Sequence, residues 1–116
     1  MGFVRGPSAD PWQDRAEQVG RIADRLRSMG VDRLGRADDS GSTLADDVHT
    51  WCVALAAAGA TAAGRSVPAV PRLADSGSGD QWTVIATEYL ATSRSAQDPT
   101  PGELIDEAMR ALRRRL

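Results

Sequence analysis

Three residues of metal-binding types follow one another at a spacing of three: Asp46, His49 and Cys52. On a helix, residues three apart lie about 60° from each other around the axis, so neighbours in this series share one side. His49 can therefore act together with Asp46 or with Cys52. A carboxylate, an imidazole and a thiolate are all protein ligands of zinc. The spacing makes the three residues a candidate metal site on a helix.

The pair Asp46-x-x-His49 resembles the Glu-x-x-His pair of di-iron helical bundles, which offers a carboxylate and an imidazole from adjacent turns. That architecture implies a second pair and further carboxylates, yet the chain has one histidine. The alternative needs no ligand: His49 borders an apolar face, Cys52 is a small hydrophobic residue, and Asp46 complements the helix dipole. We favour this alternative. A Cys-His nucleophile also needs an oxyanion site, for which we find no motif, so we predict no catalytic residues.

The second candidate is a row of arginines near the end of the sequence: Arg110, Arg113, Arg114 and Arg115. Such a basic tip is one feature of proteins that bind nucleic acid or an acidic partner. The alternative is structural, because Asp106 and Glu107 precede the row by one turn and cations stabilise the C-terminus of a helix. We favour the structural alternative, since a nucleic-acid site needs a basic patch beyond one tip.

The least polar stretch of the chain carries the first candidate site and is predicted to be a helix over residues 43–63. Its apolar face, at about 100° per residue, consists of Leu44, Val48, Trp51, Leu55, Ala58, Gly59 and Ala62. Past the first turn the opposite side also lacks charge. A helix without a polar face is normally buried all round. We expect either that this helix is the centre of a bundle or that its alanine side meets another copy of the chain.

Three more helices are predicted, over residues 10–29, 79–93 and 100–115, each with an apolar stripe at helical spacing. The fold class is therefore all-α. We expect a four-helix, bundle-like single domain over residues 10–116, preceded by a flexible lead-in over residues 1–9.

The longest connection, residues 65–79, joins the second and third of these helices and contains two prolines three residues apart. Prolines at this spacing favour an extended path. We expect a stiff strap across the bundle with three apolar side chains turned inward: Val67, Val70 and Leu73. The run over residues 65–71 also matches R-x-x-P-x-x-P, a pattern that SH3-like domains bind, but we favour the strap.

The helices over residues 43–63 and 79–93 have outer sides too poor in charge to be fully wetted. This is more weakly polar surface than one small bundle readily hides, so we expect a homodimer. The residues predicted to form its interface are Ala54, Ala57, Ala60, Thr61, Val84, Thr87 and Ala91.

Charge and cysteine content exclude some classes of function. The chain has 116 residues, a net charge of −2 and no lysine. This charge offers no general attraction to nucleic acid or to an anionic membrane. Cys52 is alone, so no internal disulfide forms, and the sequence has no run of apolar residues long enough to span a membrane. We expect a cytoplasmic protein.

No motif in the sequence identifies a family or an activity, and we predict no cofactor. We predict a non-catalytic interaction or assembly module that binds protein, in the first place a second copy of itself through the helices over residues 43–63 and 79–93. The alternative is a helical bundle that binds a small ligand or a metal near His49 and Asp46. A third and weaker alternative is nucleic-acid binding through the arginine-rich C-terminal helix.

Overall fold

Four long helices and one short helix are present in the computed structural model, which describes residues 10–94 and 98–116. They are α1 (Pro11–Ser28), α2 (Val31–Leu34), α3 (Leu44–Ala62), α4 (Ser78–Ser93) and α5 (Thr100–Arg113), with a 3₁₀ turn at Asp75–Gly77. The long helices begin and end within two residues of the predicted bounds, so the all-α prediction is confirmed. The predicted lead-in, residues 1–9, lies outside the described residues.

Local signals account for where the first long helices begin and end. Asp10 caps α1 by accepting a hydrogen bond from the backbone N–H of Trp12 at 2.9 Å. Thr43 and Asp46 form a reciprocal capping box at the start of α3. Gly64, with a φ of +69°, follows the end of α3 in a left-handed conformation that suits glycine. These four positions are readable from the sequence because each acts over only a few residues.

The long helices form a ring in which each packs mainly against two neighbours, and α4 and α5 also touch across it. α4 lies between α1 and α3, and α5 closes the ring by packing against the same two helices. α1 and α3 therefore lie at opposite corners of the ring, and so do α4 and α5, although each pair is consecutive among the long helices. Only α3 and α4 are both consecutive in the chain and side by side in the ring. The bundle-like arrangement that the sequence predicted is present, with α4 as the helix in most extensive contact.

Contacts along the helices give their directions. Arg27, near the end of α1, bonds Asp80, near the start of α4, at 2.9 Å, so these helices are antiparallel. Arg115, just beyond α5, pairs with Asp47 near the start of α3, so this pair is also antiparallel. α3 and α4 themselves run parallel. The connection between them, residues 65–74, must return along the ring, and we call it the strap.

The core is centred on Trp82 of α4. Its side chain is fully buried, and its Nε1–H donates to the main-chain oxygen of Val19 in α1 at 3.1 Å. This bond satisfies the indole donor, which would otherwise be a buried polar group without a partner. The other largest fully buried side chains come from α1, α3 and α5: Leu26, Val48, Cys52, Leu55, Ile105, Met109 and Leu112.

α3 occupies a corner of the ring and is not enclosed by its own chain. Val53 is 41% exposed and Thr61 is exposed, while Ala54 and Ala57 are half-buried. The prediction that α3 is the central helix is therefore wrong. Its neighbours α4 and α5 cover only part of its circumference. The other alternative, a second copy of the chain against the alanine side, stays a prediction.

Two glycines test the close approach of α1 and α4. A Cβ on Gly79 would lie 2.8 Å from Cγ of Arg27 and 3.2 Å from the main-chain oxygen of Ala23. We expect Gly79→Ala to destabilise the fold by about 1–3 kcal/mol. A Cβ on Gly20 meets nothing within 4 Å, so Gly20→Ala should stabilise by about 0.5–1 kcal/mol. Urea denaturation measures both changes, and equal gains in the two variants would contradict the close packing.

Candidate functional site

His49 is half-buried on α3 beneath the strap. Its Nε2 lies 2.9 Å from the main-chain oxygen of Val70. A carbonyl oxygen can only accept, so Nε2 carries the hydrogen and donates it. This nitrogen is therefore not free to bind a metal, and the imidazole fastens the strap to α3.

Asp46 is held by two other partners. One carboxylate oxygen accepts from Arg72 Nη2 in the strap at 2.9 Å, and the carboxylate also faces the backbone N–H of Thr43 in the capping box. The hydrogen bonds from Arg72, and then those with Thr43, lower the pKa of the Asp46 carboxyl. Since this pKa is lower in the folded chain than in the unfolded one, the contacts stabilise the fold at neutral pH. They are lost as the pH falls through the range of the carboxyl group.

Cys52 points into the core, away from both of the other candidates. Its side chain is fully buried, and burial raises the pKa of the thiol to about 12. Over residues 10–94 and 98–116, no group of three His, Cys, Asp or Glu side chains is placed to hold a metal ion. The predicted set Asp46, His49 and Cys52 is thus divided among the strap, a helix cap and the core.

The strap is fastened at three points along its second half. Besides the bonds from His49 and Arg72, Gln81 of α4 donates through Nε2 to the main-chain oxygen of Pro71 at 2.8 Å. Of the three side chains predicted to turn inward, Val70 packs against the core, but Val67 and Leu73 are exposed. The prediction is thus wrong for two of the three. Binding of residues 65–71 to an SH3-like domain stays the less favoured alternative.

A narrow groove lies where the first half of the strap passes over α3 and α4. It measures about 60 Å³ and is lined by Leu55, Ala56, Gly59, Ala60, Arg65, Pro68, Ile85, Glu88, Tyr89 and Thr92. Sites for small organic ligands are commonly about 300–1,000 Å³. This groove is smaller than such sites, and its lining includes neither His49 nor Asp46, so a small-ligand site near those two residues stays a prediction.

The four arginines of the row near the end of the chain have different surroundings. Arg115 pairs with Asp38 at 3.3 Å and also with Asp47, while Arg113 donates to Gln18 of α1 at 2.7 Å. The sequence predicted that Asp106 faces the arginine row within α5. In the structure its carboxylate instead accepts two hydrogen bonds at 3.0 Å from Arg15 of α1. Arg110, Arg113 and Arg114 are exposed, and Arg115 is half-buried. The row therefore loses Arg115 to Asp38 and Asp47.

The seven predicted interface residues differ in exposure. Four are exposed: Thr61, Val84, Thr87 and Ala91. Ala54 and Ala57 are half-buried on the open flank of α3. Ala60 is 2% exposed, and its main-chain oxygen accepts from the backbone N–H of Arg65 at 2.8 Å. Ala60 is therefore covered by its own chain and cannot belong to an interface as predicted.

Comparisons of the chain with models of protein families, with curated proteins and with solved structures find no match. Within the described part of the chain, none of the helices combines the length and the apolar character needed to cross a membrane.

Burial predicts that Cys52 is chemically inert in the folded chain. With a pKa of about 12, only about one thiol in ten thousand is ionised at pH 8, and the core blocks access to it. We expect no reaction with an aromatic disulfide reagent at pH 8 and full reaction in urea, followed by absorbance. Rapid labelling of the native chain would show that Cys52 is accessible and would reopen its role as a ligand or nucleophile.

The bond from His49 to the strap predicts a change in protease sensitivity. A part-buried hydrogen bond contributes about 0.5–1.5 kcal/mol, so His49→Ala should raise the rate of trypsin cleavage after Arg65 or Arg72 by up to about tenfold. Thr50→Ala, at an exposed neighbour on the same helix, is the control and should leave this rate unchanged. Mass spectrometry of timed digests measures both, and equal rates would show that His49 does not hold the strap.

Proposed function

We propose that this chain is a non-catalytic assembly module that forms a homodimer through one side of its ring. That side consists of α3, the strap and α4, and we call it the strap side. The observation that carries the proposal is its exposed apolar surface. Among the described residues, five large hydrophobic side chains are exposed, and four of them lie on these elements: Val53, Val67, Leu73 and Val84.

The chemistry of α3 favours a second copy of the same surface over a charged partner. No charged residue occurs in positions 50–64. Where two such helices meet, no unpaired charge has to leave water, which is the main cost of burying polar surface. The small side chains of Ala54 and Ala57, half-buried at the edge of this surface, also allow a second helix to approach closely.

The required area is available on the strap side. A stable interface buries about 800 Å² of each partner, which is about one-ninth of the 6987 Å² surface of this chain. One side of a four-sided ring exceeds that share. A closed dimer with a two-fold axis would bury the same residues on both copies and would leave no open end for further growth.

Two opposite charges on the strap side fit a two-fold axis. Arg65 of the strap and Glu88 of α4 line the same groove, and within the described residues neither forms an ion pair. In a dimer with a two-fold axis, a contact between residue i and residue j occurs twice, once in each direction. Arg65 of each copy can then pair with Glu88 of the other. These pairs would fix the register of an otherwise apolar contact.

The dimer is tested by placing charge on the strap side. Val53→Glu with Val84→Glu should raise the dimer dissociation constant at least tenfold, because both carboxylates would lose water in the interface. Val31→Glu is the matched control, since Val31 is also an exposed valine but lies on α2. Sedimentation velocity from 1 to about 300 μM distinguishes the variants. A strictly monomeric parent chain at the highest concentration would refute the proposal.

A charge exchange tests the register. Arg65→Glu and Glu88→Arg should each weaken the dimer, since each places like charges opposite one another. The double variant should recover most of the lost affinity, because both pairs form again with reversed sign. A dimer that forms equally well in all four chains would mean that the interface lies elsewhere, and the Val53 and Val84 variants would then also be without effect.

A cytoplasmic location belongs to the same proposal. The one cysteine is a buried free thiol, and the fold draws no stability from a disulfide. A reducing compartment suits such a chain.

A further inference from the structure

A second groove lies between α1 and α5, on the part of the ring away from the strap. It is lined by Gln18, Arg21, Ile22, Arg25, Arg113 and Leu116 and measures about 380 Å³. This volume falls within the range of about 300–1,000 Å³ that is common for sites of small organic ligands. Its lining combines three guanidinium groups with the apolar side chains of Ile22 and Leu116.

The arginines of this groove lack the short ion pair with an aspartate that five other described arginines form. Arg15, Arg27, Arg72, Arg94 and Arg115 each form an ion pair of 3.3 Å or less with an aspartate. By contrast, neither Arg25 nor Arg113 has an Asp or Glu partner within residues 10–94 and 98–116. Arg25 and Arg33 both donate to the oxygen of Leu116, the last residue of the sequence, at 2.8 and 3.0 Å, and Arg113 donates to the side-chain oxygen of Gln18 at 2.7 Å.

Arg21 is also weakly paired. Its only ion pair within the described residues is with Glu17 on the same helix, at 3.7 Å, and its side chain is 74% exposed. An exposed pair of this kind contributes little free energy, so Arg21 can turn to another anion at small cost. Within the described residues, none of the three guanidinium groups around this groove thus forms a short ion pair with an Asp or Glu.

We propose that this groove binds a small organic phosphate with a compact apolar body. Guanidinium groups bind phosphate oxygens through paired, charge-assisted hydrogen bonds, and several together match a dianion better than a single carboxylate. Ile22 and Leu116 then contact the apolar part of the ligand. The site does not depend on the dimer, because its residues lie on α1, on α5 and just beyond α5, and none belongs to the strap side.

Two alternatives explain the same arginines without such a ligand. Arg25 and Arg113 lie near the C-termini of α1 and α5, where the helix dipole favours cations. A nucleic acid would use the phosphate contacts but needs a basic track along several phosphates. The structure interrupts such a track, since Arg115 is turned to Asp38 and Asp47. Only the organic phosphate uses both the charge and the apolar lining.

The test is calorimetric titration with phenyl phosphate, inorganic phosphate and benzoate at low salt. We expect phenyl phosphate to bind at least tenfold tighter than either of the others, because only it supplies a phosphate together with an apolar ring. The variant Arg25→Gln with Arg113→Gln should lose at least tenfold in affinity for it. The matched control, Arg110→Gln with Arg114→Gln, also removes two charges but outside the groove lining, and should change the affinity less than twofold.

Circular dichroism establishes that each variant folds. If the first pair unfolds the chain, Arg21→Gln replaces it, since this side chain is 74% exposed, and it should lower the affinity several-fold. Equal losses in both double variants, or equal binding of phenyl phosphate and inorganic phosphate, would overturn the proposal. The proposal would also be overturned if a single-stranded oligonucleotide bound tighter than phenyl phosphate and bound more weakly to the Arg110 and Arg114 variant. The arginine row of α5 would then be a nucleic-acid site.

Discussion

The parallel packing of α3 and α4 is the constraint on which the rest of the molecule depends. α3 has 19 residues and is therefore about 28 Å long, and the chain must return over that length before α4 begins. The strap makes this return, and its route fixes what is left exposed. It covers Ala60 and half-buries His49, but it leaves Val53 and the outer side of α4 open. The same constraint thus creates both the covered groove and the apolar surface beside it.

The parallel pair also orders the charges at one end of the ring. The N-termini of α3 and α4 lie at the end where α1 and α5 finish. Aspartates occupy the first turns of α3 and α4, and arginines occupy the last turns of α1 and α5, so each charge suits its own helix dipole. The two sets then pair across helices, as in Arg27 with Asp80 and Arg115 with Asp47. This explains why Arg115 does not extend the exposed arginine row of α5.

The sequence predicts features that depend on a few consecutive residues and fails where distant ones decide. Apolar periodicity and capping residues place the four long helices to within two residues. The lack of charge on α3 is also visible in the sequence. It does not show, however, whether the uncharged side is buried by the same chain or by a second copy. Ser78 and Gln81 look like a helix cap, yet Gly77 stands at the cap position and Gln81 bonds the strap. The groove of Arg25 and Arg113 joins residues 88 positions apart, and no local pattern in the sequence signals it.

The diagonal placement of successive helices bears on how the chain reaches its native state. α1 and α3 are joined by residues 29–43, which include α2, and they face each other across the ring, while α4 and α5 touch only weakly. Within the described residues, no two long helices adjacent in the chain form an extensively packed antiparallel hairpin that could serve as an early nucleus. The ring closes only when distant parts of the chain meet, which raises the contact order above that of an up-and-down bundle. A helical protein of this size would then acquire its structure slowly for its class, and the strap, which needs both α3 and α4 in place, would be the last segment to settle.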